Sequence, residues 1–176
     1  MSGSTQKSVS WWERKVQSLV TEPGVTVDVF VRSLCPPVGA HSQQEQILEQ
    51  LQRYERENVL DDVSFQVWGE AICPSSCLAQ SAVGSEMLEK IEAIRDWTST
   101  HGTDPVFEVR TVDSSITDES YTKLVPPRVC LLVSSEANPE LVFPHAVDGE
   151  NACISAFLDA LGRHSAVEEV GIESSA

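Results

Sequence analysis

Apolar and polar positions alternate along VTVDVFVR (25–32), with Val25, Val27, Val29 and Val31 on one side, the period of a strand with a buried face. VSFQVWGEAI (63–72) alternates in the same way through Val63, Phe65 and Val67, and VFEVRTV (106–112) predicts a third strand. RVCLLV (128–133) is almost continuously apolar, as a strand buried on both faces should be, and LVFPHA (141–146) returns from it after the turn-length stretch SSEANPE. Between these runs the period changes to that of helices. Ile47, Leu48, Leu51 and Tyr54 form one stripe behind the capping-box pattern Ser42-Gln43-Gln44-Glu45. Met87, Leu88, Ile91 and Ile94 form a second stripe, with Ser85 as its cap and Thr100-His101-Gly102 as its stop. Ser115-Ile116-Thr117-Asp118 reads as the cap of a short third helix running through Tyr121, and Ile154, Phe157, Leu158 and Leu161 mark a closing helix over 150–162. Ahead of the body, Trp11, Trp12, Val16, Leu19 and Val20 recur at near-helical spacing before Pro23-Gly24 breaks the chain.

This order divides the chain into an N-terminal arm with a short amphipathic helix (1–23), an α/β body (24–164) and a polar, acidic tail (165–176) expected to be disordered. The body reads β-α-β-α-β-α-β-β-α. Strands joined through helices should lie parallel, and the last two, joined by a short turn, should be antiparallel. The order resembles thioredoxin from Val25 to Gly162. A strand ends in a cysteine-containing loop that opens a long helix (EAICPSSC), and a proline-led buried strand, a hairpin and a closing helix follow. The resemblance implies a central mixed sheet and a cis-proline facing the cysteines, with Pro126 or Pro127 as its counterpart.

Charge changes the picture more than any motif. Twelve Lys+Arg stand against 27 Asp+Glu, a formal net charge of −15 over 176 residues, and only four of the cations are Lys. Such a surface repels itself in dilute salt and suits concentrated salt, where screening is short-ranged. It argues against direct nucleic-acid binding, which needs clustered Lys and Arg. The segments VRSLCPPVGAHSQQEQ, VWGEAI and TVDSSITDESYT, with the proline-led strand after them, resemble a family of small acidic haloarchaeal proteins that carry the label "HTH domain". That resemblance implies a salt-loving origin and, through the label, a DNA-linked regulatory role.

The candidate chemistry is thiol chemistry. MSGSTQKSVSWW lacks the layout of an export leader and no apolar run approaches a membrane span, so a cytoplasmic location and reduced cysteines are expected. Cys73-Pro-Ser-Ser-Cys77 sits between a strand end and a helix start, where backbone N–H groups and the helix dipole favour a thiolate. Cys73 would be the nucleophile and Cys77 the resolving thiol, although C-x-x-x-C is one residue longer than the C-x-x-C of thioredoxin. Cys35, past the first strand, would be separated from Cys73 by a third strand. A metal site would have to draw on Cys35, His41, Cys73 and Cys77, at a spacing that matches no standard finger. Cys130 and Cys153 read as inert core thiols. No cofactor is expected. These readings favour a non-catalytic, thioredoxin-like binding or regulatory domain with a protein partner. The alternatives are a thiol-disulfide oxidoreductase or redox sensor using Cys73 and Cys77, and an HTH-labelled transcriptional regulator acting with a partner.

Overall fold

The computed structural model describes residues 10–35, 38–74, 81–147 and 149–173, with backbone alone at Val83 and over 165–173. The chain is mixed α/β. Its elements are α1 (Trp11–Leu19), β1 (Val25–Val31), α2 (Ala40–Arg56), β2 (Asp62–Val67), α3 (Ala82–His101), β3 (Glu108–Ser114), β4 (Glu119–Val125), β5 (Val129–Ser135), β6 (Asn138–Phe143), β7 (His145–Val147), β8 (Glu150–Ala152) and α4 (Ile154–Glu173). The central sheet has the order β2-β1-β5-β6. β1 and β2 are parallel, as their helical connection requires, and β5 runs antiparallel to both β1 and β6. Glu136 and Ala137 turn the β5–β6 hairpin, both with positive φ, which suits a tight two-residue turn.

The valine alternation of β1 divides the core between two faces. Val29 pairs with Leu131, which pairs with Phe143, so these three share one side of the sheet. There Phe143 meets Trp12 of α1 edge-on at 5.4 Å and stacks on Phe157 of α4 at 4.6 Å. α2 joins this layer through the Tyr54 hydroxyl, which donates to the Leu158 carbonyl at 3.1 Å. The opposite side carries Asp28 and Phe30. It lies under α3, whose Lys90 ammonium meets the Asp28 carboxylate at 2.9 Å, and the Ser64 hydroxyl donates to the same carboxylate. Phe30 stacks on Trp68, which meets Phe107 edge-on.

Several expectations need correction. The third strand is not in the central sheet. β3 pairs antiparallel with β4 as a separate hairpin, fastened to the body by the buried Leu124 and by paired hydrogen bonds between Leu124 and Ile72. The helix expected over 115–121 is therefore a turn followed by β4. Ser115–Asp118 imitates a helix cap, but Asp118 adopts φ 55° and closes a hairpin whose arms, rich in Val, Thr and Tyr, favour extended backbone. The elements thus depart from the order β-α-β-α-β-α-β-β-α at that point. Two helix starts also move. Gly39 precedes α2, leaving Ser42 inside its first turn, and Ser81 caps α3 by accepting from the Gly84 N–H. α4 starts four residues later than expected, because 145–152 forms the small β7–β8 hairpin, and it runs on to Glu173 across most of the stretch read as a tail. No glycine or proline interrupts the chain between Gly162 and Gly171, so the helix has no local reason to stop earlier.

Candidate functional site

The C-terminal end of β1 opens into a cavity of about 430 Å³ between that strand, the start of α2 and the residue preceding β5. Its wall carries Arg32, Cys35, Gln43, Gln44, Glu70 and Arg128. Two backbone features bring the arginines together. The antiparallel β1–β5 register ends at Val31 opposite Val129, and one rung further the Arg32 N–H donates to the Arg128 carbonyl at 3.1 Å. The Arg32 guanidinium is then fixed by donating through Nε, at 2.8 Å, and Nη2 to the carbonyl of Pro126. From α2, the buried Gln44 amide donates to the Ser33 carbonyl at 3.0 Å and ties the loop after β1 to the helix. The Ser33 hydroxyl accepts from the Cys35 N–H in the same loop. Gly39 at the start of α2 supplies no side-chain cap, and the first turn of α2 holds no acidic residue.

The sequence-predicted residues distribute differently. Cys73 is partly exposed beyond Ile72, and Cys77 lies outside the described residues, so the spacing between the two thiols is not part of this geometry. Cys35 is exposed at the cavity wall. Because β1 and β2 are hydrogen-bonded neighbours, no strand intervenes between the ends that lead to Cys35 and Cys73, contrary to expectation. His41 meets Glu45 one helical turn on, at 3.5 Å, on the surface of α2. Among the described residues no group of three or more His, Cys, Asp or Glu side chains is placed to hold a metal ion. Neither Pro126 nor Pro127 follows a cis bond. They form the extended link from β4 to β5, which trans peptides span, and the cis X-Pro bond is Phe143–Pro144, where β6 gives way to β7.

Two thiols thought alike prove opposite. Cys130 is fully buried in β5, and burial pushes its thiol well up from the ordinary range. Cys153 is exposed immediately ahead of α4. The Ser155 hydroxyl 3.1 Å away, and then the Ala156 backbone N–H, hold its thiol below the ordinary value. It reads as core only if α4 begins at 150; the Asp148-Gly149 dipeptide, a hairpin signal, was the available clue. The arginine pair left no comparable clue, since Arg32 and Arg128 are far apart in the chain and meet only through the sheet register.

Further round the molecule, Trp11, Trp97, His101 and His145 form an aromatic cluster that joins α1 to α3, with His101 stacked on Trp97 at 4.4 Å and on Trp11 at 5.4 Å. No helix among the described residues is long and apolar enough to cross a membrane.

A family model described as "Helix-turn-helix domain" matches residues 20–166. No curated protein and no solved structure matches the chain. Among the described residues α1, α2 and α3 are each followed by a strand, so the two helices joined by a three- or four-residue turn that give the motif its name are not found there. The match nonetheless extends from the end of α1 into α4, through every strand and the whole wall of the cavity, and on that extent the chain belongs to this helix-turn-helix domain family.

Proposed function

We propose that this chain is a non-catalytic binding or regulatory domain on a thioredoxin-like core, with its ligand seated in the cavity at the end of β1. The cavity carries the reading. It has the volume of a small-molecule site, and a few polar groups converge on it from rigid elements. The thioredoxin-like description is supported by the parallel β1–β2 pair, the β5–β6 hairpin and the closing helix, with the β3–β4 hairpin as an addition. Membership of a helix-turn-helix family supports a regulatory role. It also favours a second reading, a transcriptional regulator. With a net charge of −15, DNA contact would fall to a partner protein rather than to this surface. A cytoplasmic, high-salt setting agrees with the same charge.

A thermal-shift screen of the full chain against small metabolites in potassium chloride tests the first reading. Compounds that raise the midpoint should lose their effect in Gln43→Trp, which places a bulky ring at the exposed rim of the cavity. Thiol-dependent insulin reduction that disappears in Cys73→Ser would replace this reading with the oxidoreductase one. A screen without any stabiliser would remove it.

A further inference from the structure

We propose that the cavity at the end of β1 binds the oxyanion of a small molecule, a phosphate or a carboxylate, between Arg32 and Arg128; this deepens the binding-domain reading and rests on it. Three observations converge. First, the two arginines face each other across an antiparallel rung, since the Arg32 N–H donates to the Arg128 carbonyl one step beyond the Val31–Val129 pair. Directly opposed side chains in such a ladder have Cβ atoms about 4.5–5.5 Å apart, and like charges placed there repel. Second, among the described residues no carboxylate lies within ion-pair distance of either guanidinium, in a chain where acidic residues outnumber basic ones 27 to 12. Among the same residues Lys15, Lys90, Arg53, Arg110 and Arg163 each meet a carboxylate, whereas Arg14, Arg56, Arg95 and Lys123 do not; Arg32 and Arg128 differ from these four in lying opposite each other on one cavity wall. A paired cation site left without an internal anion in so acidic a molecule is the arrangement expected where the anion comes from outside. Third, the site is built before the ligand arrives. The Pro126 carbonyl holds one edge of the Arg32 guanidinium and leaves its remaining N–H groups unassigned, and the buried Gln44 locks the loop that forms the wall.

The chemistry suits oxyanions in particular. Guanidinium groups present planar pairs of N–H donors that match two oxygens of a carboxylate or phosphate. The start of α2 opens on the same cavity through Ala40 and Gln43, with no side-chain cap and no acid in its first turn, and adds N–H dipoles of the right sign. Glu70 is the carboxylate on the wall. It sets a limit on the ligand, which should place its oxyanion away from Glu70 and turn a hydroxyl or amino group towards it.

Titration calorimetry and thermal unfolding of the full chain, with inorganic phosphate and with succinate as probes at constant ionic strength set by potassium chloride, test the assignment. At least one probe should bind saturably and raise the unfolding midpoint of the native chain. Arg128→Gln, a change at an exposed position, should weaken that binding at least tenfold. Without the probe, Arg128→Gln should leave the midpoint unchanged or raise it, because the like-charge opposition is relieved. Arg32→Lys keeps the charge but loses the fork, and should weaken binding as well. A response to phosphate alone assigns a phosphoryl ligand; a response to succinate alone assigns a carboxylate. Equal shifts in the native chain and both variants would mean ionic screening only, and would overturn the proposal. Binding of uncharged compounds that Gln43→Trp blocks, without any oxyanion response, would overturn it too while leaving the binding-domain reading intact. Absence of every ligand would remove both.

Discussion

At the scale of single residues, His145 shows how burial turns an ordinary side chain into a pH-dependent one. It is 6% exposed, its Nδ1 lies 2.6 Å from the Val142 carbonyl, and its ring packs on Trp97 of α3, Phe143 of β6 and Trp11 of α1. Desolvation lowers its pKa; the charge of His101 adds a smaller push in the same direction, and the Val142 carbonyl works against both. The folded state therefore resists protonation, whereas the unfolded chain takes up the proton near pH 6.5. Above about 6.5 both states are neutral at this site and stability is flat. Below it the unfolded state binds more protons, and stability falls by up to about 1.4 kcal/mol per pH unit until the folded pKa is passed. Chemical denaturation between pH 8 and pH 5 should show this slope in the native chain and a shallower one in His145→Phe. His41, His101 and His164 remain in both proteins, so identical slopes would mean that His145 is not the source. Cys153 teaches the complementary lesson. Its type and its helical neighbourhood suggest a packed thiol, yet a shift of four residues in where a helix begins leaves it exposed beside N–H donors.

At the scale of elements, what was legible is what carries its own period. β1, β5 and α4 were readable because alternation, a continuous apolar run and an i, i+3, i+4, i+7 stripe each have one structural meaning. The β3–β4 hairpin was not, because Ser-Ile-Thr-Asp serves equally as a helix cap and as a hairpin turn, and the choice is made by strand pairing that no local window contains. The arginine pair is a stronger case, since only the antiparallel β1–β5 ladder brings its members together. Helix packing is likewise decided by tertiary contact. α2 meets α4 at Gly162, where an added Cβ would lie 2.9 Å from the Tyr54 hydroxyl. Replacing a helical glycine by alanine usually stabilises by about 1 kcal/mol. Here the methyl would displace a buried hydroxyl from the Leu158 carbonyl and overpack the contact, each costing roughly 1–3 kcal/mol. Gly162→Ala should therefore lower the free energy of unfolding by about 1–5 kcal/mol, overriding the gain in propensity. In a Tyr54→Phe background, which has no hydroxyl to displace, the same change should be neutral or stabilising. An equal loss in both backgrounds would place the cause elsewhere.

At the scale of the whole molecule, charge is the property that most separates this chain from an ordinary α/β domain. Fifteen uncompensated negative charges on 176 residues oppose compaction, and the described ion pairs recover little of that, because most of them lie at the surface, where water and salt screen them. The Lys90–Asp28 contact differs. Its carboxylate is largely buried and shared with Ser64, so it anchors α3 to β1 rather than relieving surface repulsion. Added salt acts on the rest. Between 0.1 M and 1 M the Debye length falls from about 10 Å to about 3 Å, which silences repulsion between surface carboxylates while leaving buried contacts nearly untouched. The unfolding midpoint should therefore rise steeply with potassium chloride over that range. It should rise by a similar amount in Arg128→Gln, since the bulk of the effect comes from the acidic surface and not from the cavity. A midpoint that is flat or falls with salt would show that the acidic surface does not limit stability. A rise confined to the protein with both arginines intact would instead assign the salt response to chloride held between Arg32 and Arg128. Salt thus separates two roles of charge in this molecule, a diffuse negative field that resists folding and the local positive charge of Arg32 and Arg128 at the cavity.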